Sequence, residues 1–174
     1  MRVVAGVAGG RRLVPPPGRA VRPTSDRVRE AVFNALASLR AIEGATVLDL
    51  FAGSGALGIE ALSRGAAHAT FVEHDARALA VVRANLVATG LAGCARVVRR
   101  DARRFLGEEE AHFDVALLDP PYRFGDEAWS EVLEVLDADV AVVESDRPVE
   151  VGPRWDPVRV KRYGTTVVTL ARYR

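Results

Sequence analysis

The chain has 174 residues, 49% of them hydrophobic, and a net charge of only +1, enough for one domain with a real core and a small appendage. It has no run of about eighteen apolar residues, and the basic start "MRVVAGVAGGRRL" lacks the apolar segment of a secretion signal. A membrane span and secretion are therefore not expected, and a cytoplasmic location is.

The first segment, "RVVAGVAGGRRLVPPPG", reads as a small β-hairpin, with two short apolar runs flanking the turn dipeptide Gly9-Gly10. Pro15, Pro16 and Pro17 then stiffen an extended linker. Residues 1–21 are expected to stand outside the main domain of residues 22–174, too far away to reach the glycine loop described below. "RPTSDRVREAVFNALASL" is expected to be a helix: Thr24, Ser25 and Asp26 offer N-cap oxygens, and Val28, Ala31, Val32, Ala35, Leu36 and Leu39 form one apolar face.

From residue 46 strands and helices alternate. "TVLDLF" is a strand, and "GSGALGIEALSRG" is a helix opened and closed by glycine. "ATFVE", "ARVVR", "FDVALLD" and "DVAVVES" are further strands, separated by the helices "DARALAVVRANLVATG", "DARRFLG" and "DEAWSEVLEVL". This rhythm means an α/β fold with a doubly wound, mostly parallel sheet and right-handed crossovers. "VRVKRYG" and "TTVVTLARY" have no room for a helix between them, so they close the sheet as an antiparallel hairpin at its edge. Cys94, the only cysteine, excludes an internal disulfide. It falls at the N-terminal edge of the sheet and is expected to be a small buried hydrophobe. His68, His74 and His112 lack ligand spacing, so no metal is expected.

Gly53, Gly55 and Gly58 form a G-x-G-x-x-G loop between a strand and a helix, and Glu73 ends the next strand. That is the pattern of a nucleotide fingerprint, in which glycines admit the ligand and the acid accepts ribose hydroxyls. By itself it fits NAD as well as other adenosine ligands. Asp49, ahead of the glycines, favours a ligand that carries a cation there, such as S-adenosylmethionine, over one that carries a pyrophosphate. Asp101 follows the third strand, where it can accept the adenine amine, cap a helix, or do both. Ala52, His74 and Ala102 flank these acids and are expected at the same cofactor site.

Charge is uneven. Arg2, Arg11, Arg12, Arg19, Arg22, Arg27 and Arg29 crowd the start, and Arg154, Arg159, Lys161, Arg162, Arg172 and Arg174 the end. Such patches on a near-neutral protein suggest a polyanion partner.

"DLFAGSG", Glu73, Asp101 and "DPPY" stand in the order used by class I, Rossmann-like S-adenosylmethionine-dependent methyltransferases. "RPTSDRVREAVFNAL", "VLDLFAGSGALGIEALSRGA" and "LLDPPY" together resemble the RsmD family, and the resemblance extends to the N-terminal "VVAG", the "PPG" and the "KRYG" near the end. It implies a seven-stranded sheet with a reversed last strand, and S-adenosylmethionine as methyl donor. It also implies methylation of a guanine N2 amine in 16S ribosomal RNA of a small subunit at least partly assembled. Asp119, Pro120 and Tyr122 are then the catalytic candidates. The Asp119 carboxylate and the Pro120 carbonyl would accept the two N–H bonds of an exocyclic amine, and Tyr122 would stack on the base. Arg2, Arg11, Arg12, Arg22, Thr24, Arg27, Pro121 and Tyr122 are the candidates for contact with RNA. The same tetrad serves adenine N6, cytosine N4 and glutamine nitrogen, and a non-catalytic RNA-binding assembly factor is a rival from another class. Nothing in the sequence demands a dimer, and a monomer is expected.

Overall fold

The computed structural model describes residues 1–17, 26–121 and 124–174. Strand β1 (Thr46–Asp49) lies inside a seven-stranded sheet. Parallel to it run β2 (His68–Glu73) and β3 (Ala95–Arg99) on one side, and β4 (Phe113–Leu118) and β5 (Ala138–Ser145) on the other. The last strand, β7 (Thr166–Tyr173), pairs antiparallel with β5, and β6 (Trp155–Tyr163) pairs antiparallel with β7 at the edge. The order is β3-β2-β1-β4-β5-β7-β6. Composition explains why β7 goes inside: Val167, Val168, Leu170 and Ala171 are buried, whereas β6 carries charges over an exposed run. β6 also begins at Trp155, earlier than expected, and absorbs Pro157 with a register shift.

The central strands are apolar on both faces, as a covered parallel sheet requires. Val47, Val115, Leu117 and Val142 pack against α1 (Asp26–Ser38), α2 (Ala56–Ser63) and α3 (Ala76–Thr89) through Val32, Phe33, Leu36, Ile59, Val82 and Leu86. Leu48, Ala116, Leu118 and Val143 pack against α4 (Ala102–Glu108) and α5 (Asp126–Val135) through Phe105, Trp129, Val132 and Leu133. The helix ends follow local chemistry. The Asp75 carboxylate accepts the Arg77 and Ala78 N–H groups at the start of α3, and Gly90 ends that helix in the left-handed region at φ 75°. The start of α1 is Asp26, so the caps expected from Thr24 and Ser25 lie outside the described residues.

The N-terminal hairpin is reduced to one antiparallel bridge, Arg2 to Arg12. It does not stand apart from the core: Val3, Ala8 and Leu13 are buried in the same cluster as α2 and α3. The reason lies in α2, "ALGIEALS", whose residues are all buried. A helix buried all round needs cover on the side away from the sheet, and the hairpin provides it. Ala8 N–H donates to Ser63 Oγ at 3.0 Å, and Val14 exchanges two hydrogen bonds of 2.9 Å with the Asn85 side chain.

Cys94 is exposed, against expectation. It sits in a 3-10 turn, Ala92–Cys94, with no buried residue, because the connection from α3 to β3 runs over the rim. At the same rim, β4 and β5 bring His112 to 2.7 Å from Asp137 and 3.3 Å from Asp139, with Asp114 nearby. Sheet register, invisible in sequence spacing, builds that cluster. Among the described residues no helix is long and apolar enough to cross a membrane.

Candidate active site

A cavity of about 530 Å³ opens at the C-terminal ends of β1, β2, β4 and β5, where doubly wound sheets bind ligands. Asp49, Ala52, Gly53, Glu73, His74, Asp101, Ala102, Asp119, Pro120 and Pro121 all line it. Residues spread over seventy positions of sequence thus meet in one place.

The three glycines divide the work. Gly53, at φ 55°, turns the chain along the wall, and its N–H donates to Glu73 Oε2 at 3.0 Å. Gly58 lies behind the wall. A Cβ there would come within 2.3 Å of the Phe71 ring, so its bareness lets α2 press onto β2. Gly55 likewise is a hinge at the start of α2, at φ 80°, and does not line the cavity.

Asp49 ends β1 at 1% exposure, and its Oδ2 accepts the Gly58 N–H at 2.9 Å. Burial, opposed by that hydrogen bond and reinforced by the charges of Asp119 and Glu73, pushes its pKa up to about 7. Glu73 Oε1 accepts the N–H groups of His74 and Asp75 at 2.9 and 3.0 Å, while Oε2 holds Gly53. One carboxylate therefore ties the tip of β2 to the glycine loop. The exposed His74 places Nδ1 3.1 Å from the same Oε1. Asp101 caps α4, with Oδ1 accepting Arg103 N–H at 3.0 Å and Arg104 N–H at 3.2 Å, and still borders the cavity.

Asp119 and Pro120 are half-buried at the end of β4, and Pro121 is exposed. The Phe124 ring meets Phe51 at 5.3 Å and Trp129 at 4.9 Å, both edge-on. Arg147 fastens the start of α5: its Nη2 donates to Phe124 O at 3.1 Å and to Asp126 Oδ1 at 2.6 Å. Tyr122, Arg22 and Thr24 lie outside the described residues. Arg2, Arg11, Arg12 and Arg27 are exposed and do not line the cavity. Arg11 donates to the Ala88 carbonyl near the end of α3 at 3.1 Å.

Sequence reasoning missed two features. Met1 and Pro16, at the two ends of the hairpin, line the same cavity as Gly53, so the hairpin reaches the glycine loop after all. It does so because it lies flat on α2. The second is a fully buried ion pair. Arg29, also on the cavity wall, approaches Glu60 at 3.5 Å, both at 0% exposure. Arg29 Nη2 donates to the Arg2 carbonyl and to Asp26 Oδ1, and Glu60 accepts the N–H groups of Val4 and Ala5 at 2.7 and 3.1 Å. The pair clamps hairpin, α1 and α2 together. Its signal was a lone charge in the mostly apolar "ALGIEALS".

A sheet with a reversed seventh strand, a glycine loop after the first strand, an acid tipping the second and Asp-Pro-Pro after the fourth define a class I methyltransferase. The chain belongs to the family described as Conserved hypothetical protein 95, which matches residues 1–172; this is the RsmD family of the sequence motifs. It is similar to Ribosomal RNA small subunit methyltransferase D of Escherichia coli K12, 40% identical over 179 residues that cover 100% of this chain and 88% of that protein. It is also similar to YlbH of Bacillus subtilis, 38% identical over 187 residues and the full length of both chains. Among solved structures, the Escherichia coli protein yhhF matches with a TM-score of 0.86 at 40% identity, covering 99% of this chain and 97% of that one. PH1948 of Pyrococcus horikoshii, at 20% identity and a TM-score of 0.73, shares the fold.

Proposed function

We propose that this protein transfers a methyl group from S-adenosylmethionine to the exocyclic N2 amine of a guanine in 16S ribosomal RNA. The substrate is the small ribosomal subunit or its assembly intermediate, and the enzyme acts as a cytoplasmic monomer. The observation that carries the reading is one cavity holding both halves of the chemistry: Asp49 and Glu73 at one end, Asp119 and Pro120 at the other. The full-length similarity to the small-subunit enzyme points to the RNA.

The residues present fit the cofactor. Buried Asp49 suits an ammonium group, and Glu73 and Asp101 suit hydroxyl and amine donors. Gly53 leaves a wall without a side chain. A dinucleotide fits poorly, because its pyrophosphate, at the glycine loop, would face the buried Asp49 carboxylate. When bound, S-adenosylmethionine supplies an electrophilic methyl group on a sulfonium.

The protein's part is orientation. Pro120 lies beyond Leu118, the last residue of β4 paired in the sheet, so its carbonyl is placed to accept one N–H of the target amine; the Asp119 carboxylate accepts the other. Held between two fixed acceptors, the amine directs its lone pair along the line of attack. Orientation of this kind supplies about 7–11 kcal/mol. The nitrogen becomes acidic as the new bond forms, and its proton leaves to Asp119 or water, so Asp119 need not be a strong base. Tyr122 stacks on the base, a contact worth roughly 1–3 kcal/mol.

The test is direct. Purified protein, labelled S-adenosylmethionine and small subunits from a strain lacking the enzyme are incubated, and the RNA is digested to nucleosides for mass spectrometry. Label in N2-methylguanosine is expected. Label in N6-methyladenosine would move the target base, and no label despite cofactor binding would favour a non-catalytic assembly factor.

A further inference from the structure

Seven consecutive residues of β6, 156 to 162, are exposed, so neither face of this edge strand is covered. No helix joins β5 to β6 to shield it. The strand carries Asp156, Arg159, Lys161 and Arg162, and Asp156 is already neutralised by Arg174 at 2.6 Å. Among the described residues the three cations pair with no carboxylate. Most arginines between the start of β3 and the end of α4 behave differently: Arg96, Arg100, Arg103 and Arg104 are each ion-paired to a glutamate, and Arg99 Nε donates to the His74 carbonyl. Lys161 Nζ instead sits 5.2 Å from the centre of the Tyr163 ring.

Register places this charge. β6 runs in the same direction as β5, because each is antiparallel to β7 between them. Ser145 pairs with Val167, which pairs with Arg162; Glu144 pairs with Val168, which pairs with Lys161. Glu144 and Ser145 belong to the cavity wall. At about 4.8 Å per strand step, Lys161 and Arg162 stand roughly 10 Å from that wall. Arg159 and Lys161 share one face, about 7 Å apart along the strand.

We propose that the β6 edge is a docking track for the sugar–phosphate backbone of the substrate RNA, with Arg159, Lys161 and Arg162 as its phosphate contacts and Tyr163 at its cavity end. The inference rests on the RNA substrate proposed above and adds a surface on the edge of the sheet. Uncompensated cations beside an open cavity suit a polyanion, and such contacts hold RNA in register without reading bases. The opposing account is that charge on an edge strand only prevents strand-to-strand aggregation.

The experiment uses the full chain with Arg159→Gln, Lys161→Gln and Arg162→Gln combined, which removes the charges and keeps polar, unbranched side chains. Equilibrium binding to purified small subunits is measured over a salt series, beside calorimetry with S-adenosylhomocysteine. The expected result is binding at least tenfold weaker, with a salt slope shallower by about two to three, as for that many lost phosphate contacts, and unchanged S-adenosylhomocysteine affinity. Unchanged subunit binding and slope would overturn the proposal. So would a variant whose only defect is self-association, with its monomeric fraction binding subunits normally. Failure of the methyltransferase reading is visible separately, as wild-type protein that binds subunits but neither binds S-adenosylhomocysteine nor transfers methyl.

Discussion

Asp49 shows how one residue links burial to ligand choice. Its folded pKa of about 7 lies above the ordinary carboxylate value, so the native state holds an extra proton between about pH 4 and pH 7. Its contribution to stability therefore falls as pH rises through that window. Ligand binding has the opposite sign, because a cationic ligand needs the ionised form. Affinity for S-adenosylhomocysteine, which keeps the ammonium, should tighten by several-fold between pH 6 and pH 8 by this linkage. Calorimetry at both pH values checks it, and Asp49→Asn should abolish the dependence; a flat wild-type profile would remove Asp49 from the ammonium site. Glu73 belongs to the same scale. Glu73→Gln keeps the shape but replaces one of the oxygens that hold Gly53 and the turn at His74, besides losing a charged acceptor. A charge-assisted hydrogen bond is worth about 1.5–3 kcal/mol, so S-adenosylhomocysteine should bind roughly ten- to a hundredfold more weakly, as read by calorimetry. Both acids were legible, Glu73 from its distance to the glycines and Asp49 from its place before them. Gly58 was legible as a glycine but not as a packing residue, because its neighbour Phe71 is brought in by β2.

Among the elements, the hairpin departs most from its sequence. The Gly9-Gly10 turn predicts its shape, yet Val3, Ala8 and Leu13 recur at intervals of five, a period of neither strand nor helix, so their shared burial on α2 left no pattern. Packing of this kind makes the hairpin part of the stability of the whole. Leu13→Ala should cost about 2–5 kcal/mol in urea unfolding, and an unchanged midpoint would mean a detached appendage. The Arg29–Glu60 clamp predicts more. Glu60→Ala leaves a buried guanidinium and the Val4 and Ala5 N–H groups without their carboxylate, a loss of about 3–5 kcal/mol. Glu60→Gln, which still accepts from one of the two backbone N–H groups, should lose less by the same measurement. The alternating strands and helices, by contrast, were legible nearly to the residue. Apolar runs, Asp75, Asp101 and Gly90 mark their own boundaries locally; the larger departures are β6, which starts at Trp155 with Pro157 inside it, and α2, which starts at Ala56 after the glycine turn.

At the scale of the molecule, the sheet gathers acids from the tips of β1, β2 and β4 into one cavity and leaves on the β6 edge beside it cations that pair with no carboxylate among the described residues. The acidic interior suits a cationic cofactor, and the basic edge suits RNA. The central claim is that Asp119 acts on the amine and not on the cofactor, and Asp119→Ala tests it. Removing its charge also relieves Asp49, so cofactor affinity should hold or improve slightly. The decisive measurement is the rate of methyl transfer to small subunits by Asp119→Ala saturated with S-adenosylmethionine. A fall of about 10²–10⁴ relative to wild type is expected, as for other positioned proton acceptors; transfer at the wild-type rate would contradict the account.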